Sequence, residues 1–181
     1  MSKERTLDGR QRRRLDAMRR VQDQALRLFA DRGYGAVTVE EIAAAAGVGP
    51  ATVYRNFGSK EGMVLWDPYD PLLFDELAAR LPGTPLVAAL QDALVSALDR
   101  VYAEDAARIL RRSRLLFAEP ALQAAAAASQ AELRRGLSTL LTATGAVAED
   151  LEADVLAGAF VAVLAVAVEY WVRADGNVPL Q

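Results

Sequence analysis

The chain has 181 residues, no cysteine and no histidine, 52% apolar and 25% charged residues, and a formal net charge of −3. That composition excludes disulfides, Cys/His zinc sites and any nucleophile that relies on a thiol or an imidazole, and it is too apolar for a disordered chain. The only lysines are Lys3 and Lys60, so binding is a better expectation than catalysis, and neither a metal nor a cofactor is expected.

The chain starts with a charged stretch, Ser2 to Arg14, and not with a short apolar core and cleavage site, which predicts a cytoplasmic protein. A first helix is expected from about Arg12 to Asp31, with Leu15, Met18, Val21, Ala25, Leu28 and Phe29 at three- and four-residue steps and Gly33 as its stop. A second is expected over Val39 to Ala46. Thr38 is its N-cap and Glu41 stands three residues later, a capping box in which each side chain satisfies an otherwise unpaired amide. Gly47 ends it. Pro50, favoured at a first helical position because its missing N–H has no partner there, opens a third helix to Phe57. Ser59 caps a fourth, which Pro68 and Pro71 interrupt before it resumes to about Leu81.

Beyond Pro-Gly-Thr-Pro at 82–85, helices are expected over Leu86 to Tyr102, Glu104 to Ala118, Pro120 to Thr144, and Glu149 to near Gly176. The fold class is all-α. The longest charge-free apolar run, between Asp154 and Glu169, has 14 residues, short of the roughly 20 a bilayer needs, so no membrane is expected as a partner. Charge divides unevenly. Residues 1–62 hold 12 Lys+Arg against 8 Asp+Glu, and residues 63–181 hold 9 against 16, a basic head on an acidic body that suits an anionic polymer partner or simply a solvated surface.

The stretch Thr38 to Phe57 decides between these. Two short helices are joined by a tight Gly-Val-Gly turn, and Ile42, Ala46, Val48, Val53 and Phe57 form an apolar set that can close on the first helix. Thr52, Arg55 and Asn56 are left on an outward face at i, i+3, i+4. This is a helix-turn-helix, whose second helix fits a major groove about 12 Å wide. Lys60, a cation at the positive end of a helix, is a costly choice unless an anion such as a phosphate approaches.

Phe29, Gly33, Thr38, Ile42, Ala43, Ala46, Gly47, Val48, Thr52, Val53, Tyr54, Phe57 and Lys60 are 13 positions within 32 residues, in an order and spacing that resemble the TetR family of bacterial transcription regulators. The resemblance implies a DNA-binding head, residues 1–66, on a helical body, residues 67–181, that dimerises and senses a ligand. It implies phosphate contacts from Thr38, Tyr54 and Lys60, and places Gly49, Pro50, Thr52, Arg55 and Asn56 at the groove. Arg55 could read guanine, and Thr52 and Pro50 a thymine methyl. Gly49 and Pro50 depart from the serine and the polar residue common in the family, and Asn56 stands where histidine is common. Upstream, Arg10, Arg12, Arg13 and Arg14 read as a disordered basic tail or as a minor-groove arm.

In the body, the last segment is apolar on all sides and needs a partner to be covered. Val155, Ala159, Ala162 and Val163, among small neighbours such as Gly158, are the candidates for a homodimer seam. Trp66, Tyr69, Phe74, Tyr102, Arg112, Leu116 and Phe117 are the candidates for a pocket taking a small hydrophobic effector. Trp66 to Asp70 together with Arg114 to Leu122 resembles actinobacterial TetR proteins of the mycofactocin-regulator type. The function expected is a ligand-released homodimeric repressor on double-stranded operator DNA. Two alternatives stay open: a helical interaction module without DNA binding, and an enzyme using carboxylates such as Asp67 and Asp70.

Overall fold

The computed structural model describes residues 9–177, with no account of the side chains at 72, 97 and 100–104. Among the described residues the regular structure is helical throughout: α1 (Gly9–Arg32), a 3-10 turn (Tyr34–Ala36), α2 (Val39–Ala45), α3 (Pro50–Phe57), α4 (Lys60–Leu65), α5 (Asp70–Arg80), α6 (Leu86–Glu104), α7 (Ala106–Ala118), α8 (Pro120–Ala143) and α9 (Asp150–Arg173). Two compact units result, residues 1–66 and 67–181.

In the first unit, the α1 stripe Met18, Val21, Ala25, Leu26 and Phe29 is buried against Val39, Ile42 and Ala43 of α2, Val53 of α3, and Met63 and Val64 of α4. One residue in that stripe is polar. Gln22 is 1% exposed, and its Nε2 donates to the carbonyls of Met63 and Trp66, both at 2.8 Å. Both carbonyls lie at the C-terminal end of α4, so one buried amide helps to cap α4 and fastens it to α1. Gly62 is obligatory for a related reason: a Cβ there would lie 2.0 Å from the Phe57 carbonyl oxygen, where α4 leaves the end of α3. Arg10 to Arg14, which the sequence left between a tail and an arm, are helical within α1.

In the second unit, Leu77, Leu81, Ala89, Ala93, Leu137, Leu141, Val147, Ala153 and Ala157 form the core that joins α5, α6, α8 and α9. Ala153 and Ala157 are fully buried, so the small residues of α9 serve first to let it lie close on α8. Gly158 faces the same way, toward Arg134 of α8, and Arg134 pairs with Asp154 at 2.9 Å across the two helices. By length and composition α9 is apolar enough to cross a bilayer, with a hydropathy of 2.1 over its best 18-residue window. Counting only the charge-free run concealed this, because the charges of α9 cluster at its two ends.

Candidate nucleic-acid interface

The helix-turn-helix frame is held by short-range hydrogen bonds. The Glu41 amide donates to Thr38 Oγ1 at 3.2 Å, and the Thr38 amide donates back to Glu41 Oε2 at 2.8 Å, so the predicted capping box is complete. Arg32 adds an ion pair to Glu41 at 2.8 Å. The Thr38 amide, Arg32 and the Thr38 hydroxyl together hold the Glu41 carboxyl below the usual carboxylate range. The turn follows from Gly47, whose φ of 68° lies in the left-handed region and reverses the chain between α2 and α3. Val48 N–H then bonds Ala43 O at 3.0 Å. Val53 is buried to 1%, which fixes the roll of α3 and turns Gly49, Pro50, Tyr54 and Arg55 to solvent, with Thr52 and Asn56 half-exposed.

That face carries little internal bonding. Arg55 donates to Thr52 Oγ1 at a long 3.4 Å, and Arg14 Nε donates to Asn56 Oδ1 at 3.1 Å. Tyr54 is 48% exposed, unusual for a ring that could turn inward. An outer edge of hydroxyl, phenol, guanidinium and amide groups on a rigid short helix is the chemistry that meets phosphates and base edges.

The structure gives Thr38 and Lys60 internal tasks. The Thr38 hydroxyl is within 3.1 Å of Glu41 Oε2 as well as capping α2. Lys60 Nζ donates to the carbonyls of Tyr34 and Val37 at 2.8 and 3.1 Å and sits 4.1 Å from the centroid of the Tyr34 ring. The anionic partner that its place at a helix start calls for is thus supplied in part by two carbonyl dipoles and a π face. The Tyr34 hydroxyl in turn donates to Glu61 at 2.6 Å, and this bond holds the Glu61 carboxyl below its ordinary value. Lys60→Met should therefore destabilise the first unit without any DNA present, by about 2 kcal/mol for two charge-assisted bonds. A urea melt followed by tryptophan fluorescence in a Trp171→Phe background, where Trp66 is the one indole, measures this, and a midpoint equal to that of the same background with Lys60 intact would refute it.

In the body the predicted seam residues stand together. Val155 and Val163 are 62% and 64% exposed, Ala159 and Ala162 are exposed, and Leu151, Val166 and Tyr170 extend the same bare stripe along α9. Ala162, Val163, Val166, Ala167 and Tyr170 line an apolar depression of about 640 Å³ on it.

The predicted effector residues do not converge in this way. Trp66 caps α4 and packs edge-on against Phe57 with centroids 5.8 Å apart. Tyr69 is buried and its hydroxyl donates to Asp105, while the Phe74 ring packs on Gly136. The side chain of Tyr102 lies outside the described residues. Leu116 and Phe117 do share a pocket, of about 500 Å³, with Gln123, Gln130 and Val172 among its other walls.

Arg112 is bound to Asp67 at 2.5 Å, and buried Arg108 pairs with Asp105. Asp67 is pushed up by burial, but the charge of Arg112, the Tyr69 amide and the charge of Arg108 outweigh this and leave it below the normal range. Its neighbour Asp70 moves the other way: burial, and then the Asp67 charge, push that carboxyl up to about 7. Among the described residues, no three Asp or Glu side chains come together to hold a metal ion.

Residues 22–65 match the family model for bacterial regulatory proteins of the tetR family, and residues 84–181 match the model for the MftR C-terminal domain. The chain is 30% identical, over 93% of its length and 86% of the relative's, to a protein of Mycobacterium tuberculosis described as the mycofactocin biosynthesis transcriptional regulator MftR. It is 32% identical to the HTH-type transcriptional regulator TcmR of Streptomyces glaucescens, over 87% of this chain and 76% of that one. Among solved structures, its fold matches NalD, the secondary repressor of the MexAB-OprM multidrug efflux pump in Pseudomonas aeruginosa. That match has a TM-score of 0.57 at 18% identity and covers 92% of this chain and 90% of NalD.

Proposed function

The chain belongs to the TetR family of bacterial DNA-binding transcription regulators, and on that premise we propose that it is a cytoplasmic homodimeric repressor that releases its operator when a small ligand binds the body. The observation that carries the reading is the outer face of α3. With Val53 locked in the core, Tyr54, Arg55 and Asn56 are presented on a helix that Pro50 starts and whose roll the burial of Val53 fixes. In this reading Tyr54 docks on phosphate, Arg55 reads a guanine edge, Thr52 and Pro50 lie near base methyls, and Gly49 allows close approach at the helix start. Thr38 and Lys60 hold the frame, and Lys60 keeps a third N–H for a phosphate.

The effector reading is narrowed by the pocket walls. Leu116, Phe117 and Val172 offer an apolar wall, and Gln123, Gln130 and the Glu169–Arg173 ion pair offer a polar one, which suits an amphipathic molecule with an apolar body and a hydrogen-bonding end. The ligand acts by preferring a body conformation in which the paired heads no longer match two half-sites one helical turn apart.

The test is duplex selection from a random-sequence library, followed by titration of variants. Arg55→Ala should cost about 1–3 kcal/mol of affinity and relax the preference at one base position, whereas Tyr54→Phe should weaken all bound sequences alike. A protein that selects no duplex at low salt, or an Arg55→Ala variant with unaltered affinity and preference, removes the groove-docking reading.

A further inference from the structure

We propose that Arg14, on α1, is a positioning residue that fixes the side-chain amide of Asn56 on α3 as a hydrogen-bond donor toward DNA. The proposal rests on the reading of α3 as the groove-facing helix and adds a residue from outside it.

Arg14 Nε lies 3.1 Å from Asn56 Oδ1. A guanidinium has donors only, so the atom of the amide that faces it must be the oxygen. The amide NH2 is thereby directed away from Arg14, and no hydrogen bond from it is found among the described residues. Asn56 is half-exposed and follows Arg55 on the polar face, so the group it offers to an incoming duplex is an N–H pair. Without Arg14 the amide can flip by 180° at little cost and present either polarity. With Arg14 it is set to meet acceptors: a phosphate oxygen, or O6 or N7 of guanine. The bidentate adenine contact, which needs the amide oxygen as well, is disfavoured because that oxygen already accepts from a cation. α1 also brings Arg12 and Arg13, both exposed, to the stretch that carries Arg14, so a direct role in backbone docking is the competing account that a test must separate.

The experiment is a double-mutant cycle on the full chain, with a duplex selected by the parent protein. Arg14→Ala and Asn56→Ala should each weaken binding about fivefold, and Arg14→Ala should add less than about a twofold loss in the Asn56→Ala background. Asn56→Asp keeps an oxygen toward Arg14 and deletes the outward donor, so it should lose at least as much as Asn56→Ala. A loss uniform over all selected sequences identifies the acceptor as phosphate, and a loss confined to one position identifies a base edge. Single losses that multiply in the double variant show Arg14 touching DNA on its own account and overturn the proposal. So does a neutral Arg14→Ala, or an Asn56→Asp that binds like the parent. If the parent protein selects no duplex at all, the reading of α3 fails and the proposal falls with it, an outcome distinct from a cycle without coupling.

Discussion

Val163→Arg should convert the protein to a monomer at micromolar concentration and lower its operator affinity by about 100-fold or more. Val163 lies 64% exposed in the middle of a bare stripe that runs along α9 from Leu151 to Tyr170. The opposite side of that helix is spent on α8, where Ala153, Ala157 and Val161 are buried. Leaving such a stripe in water is expensive, and in the proposed homodimer a second copy, related by a two-fold axis, would cover it with the same residues. Because the axis duplicates every substitution, each variant places two guanidinium groups in the seam, facing apolar neighbours that offer no counter-charge. Loss of pairing then separates the two heads. A repressor that grips both half-sites as one body gains roughly 10² to 10⁴ in avidity over a single head, which sets the size of the expected effect.

Val87→Arg is the control. Val87 is more exposed still, at 73%, but lies on α6 away from the stripe, so its replacement should change neither association nor binding. Sedimentation velocity and operator titration read both quantities. A Val163→Arg protein that remains a dimer removes the α9 seam. Parent protein that is monomeric and floats with lipid vesicles assigns the stripe to a bilayer instead.

The parts of the molecule that could be read beforehand are those whose cause lies within about four residues. Thr38 with Glu41, Pro50, Ser59 and Pro120 each state a helix start locally, and α3 and α7 end at the residues where their sequence signals place them, Phe57 and Ala118. The start of α1 was missed because a run of arginines reads as a solvated tail, although arginine is also a good helix former. What stayed hidden was long-range pairing. Gln22 finds its acceptors 41 and 44 residues away, Lys60 finds carbonyls 23 and 26 residues back, and Asp67 meets Arg112 across 45. Periodicity places a side chain on a face but does not say which polar groups meet there. One signal was available: Gln22 falls between Met18 and Ala25 on an otherwise apolar stripe, and a polar residue in a core register implies a partner. The proposed effector group had no such signal, since aromatic residues at helical spacing serve core and pocket equally well. Tyr69 and Phe74 turned out to be packed, and Leu116 and Phe117 to border open space.

Arg112→Met should destabilise the second unit by about 2–3 kcal/mol near pH 7, somewhat under the 3–5 kcal/mol typical of a fully buried pair. The discount reflects side chains that keep 15% and 22% of their surface and a second cation, Arg108, that still acts on Asp67. Methionine preserves much of the packing of the arginine stem, so the deficit is chiefly that of a carboxylate left in a desolvated site. The pH dependence identifies the cause. In the parent protein Asp67 titrates below its ordinary value, so its stabilising share is present above about pH 4 and disappears as the pH falls through the folded value. In the variant, burial acts with less opposition and the carboxyl takes up its proton at higher pH, which relieves the penalty on acidification. The gap between the two proteins should therefore be widest at neutral pH and close toward pH 3. Asp67→Asn added to Arg112→Met should recover most of the loss at pH 7, because it removes the stranded charge while keeping an oxygen for the Tyr69 amide. Urea unfolding from pH 3 to 8 provides the measurement. A deficit that does not change with pH, or that Asp67→Asn leaves in place, attributes the cost to lost packing and not to the ion pair.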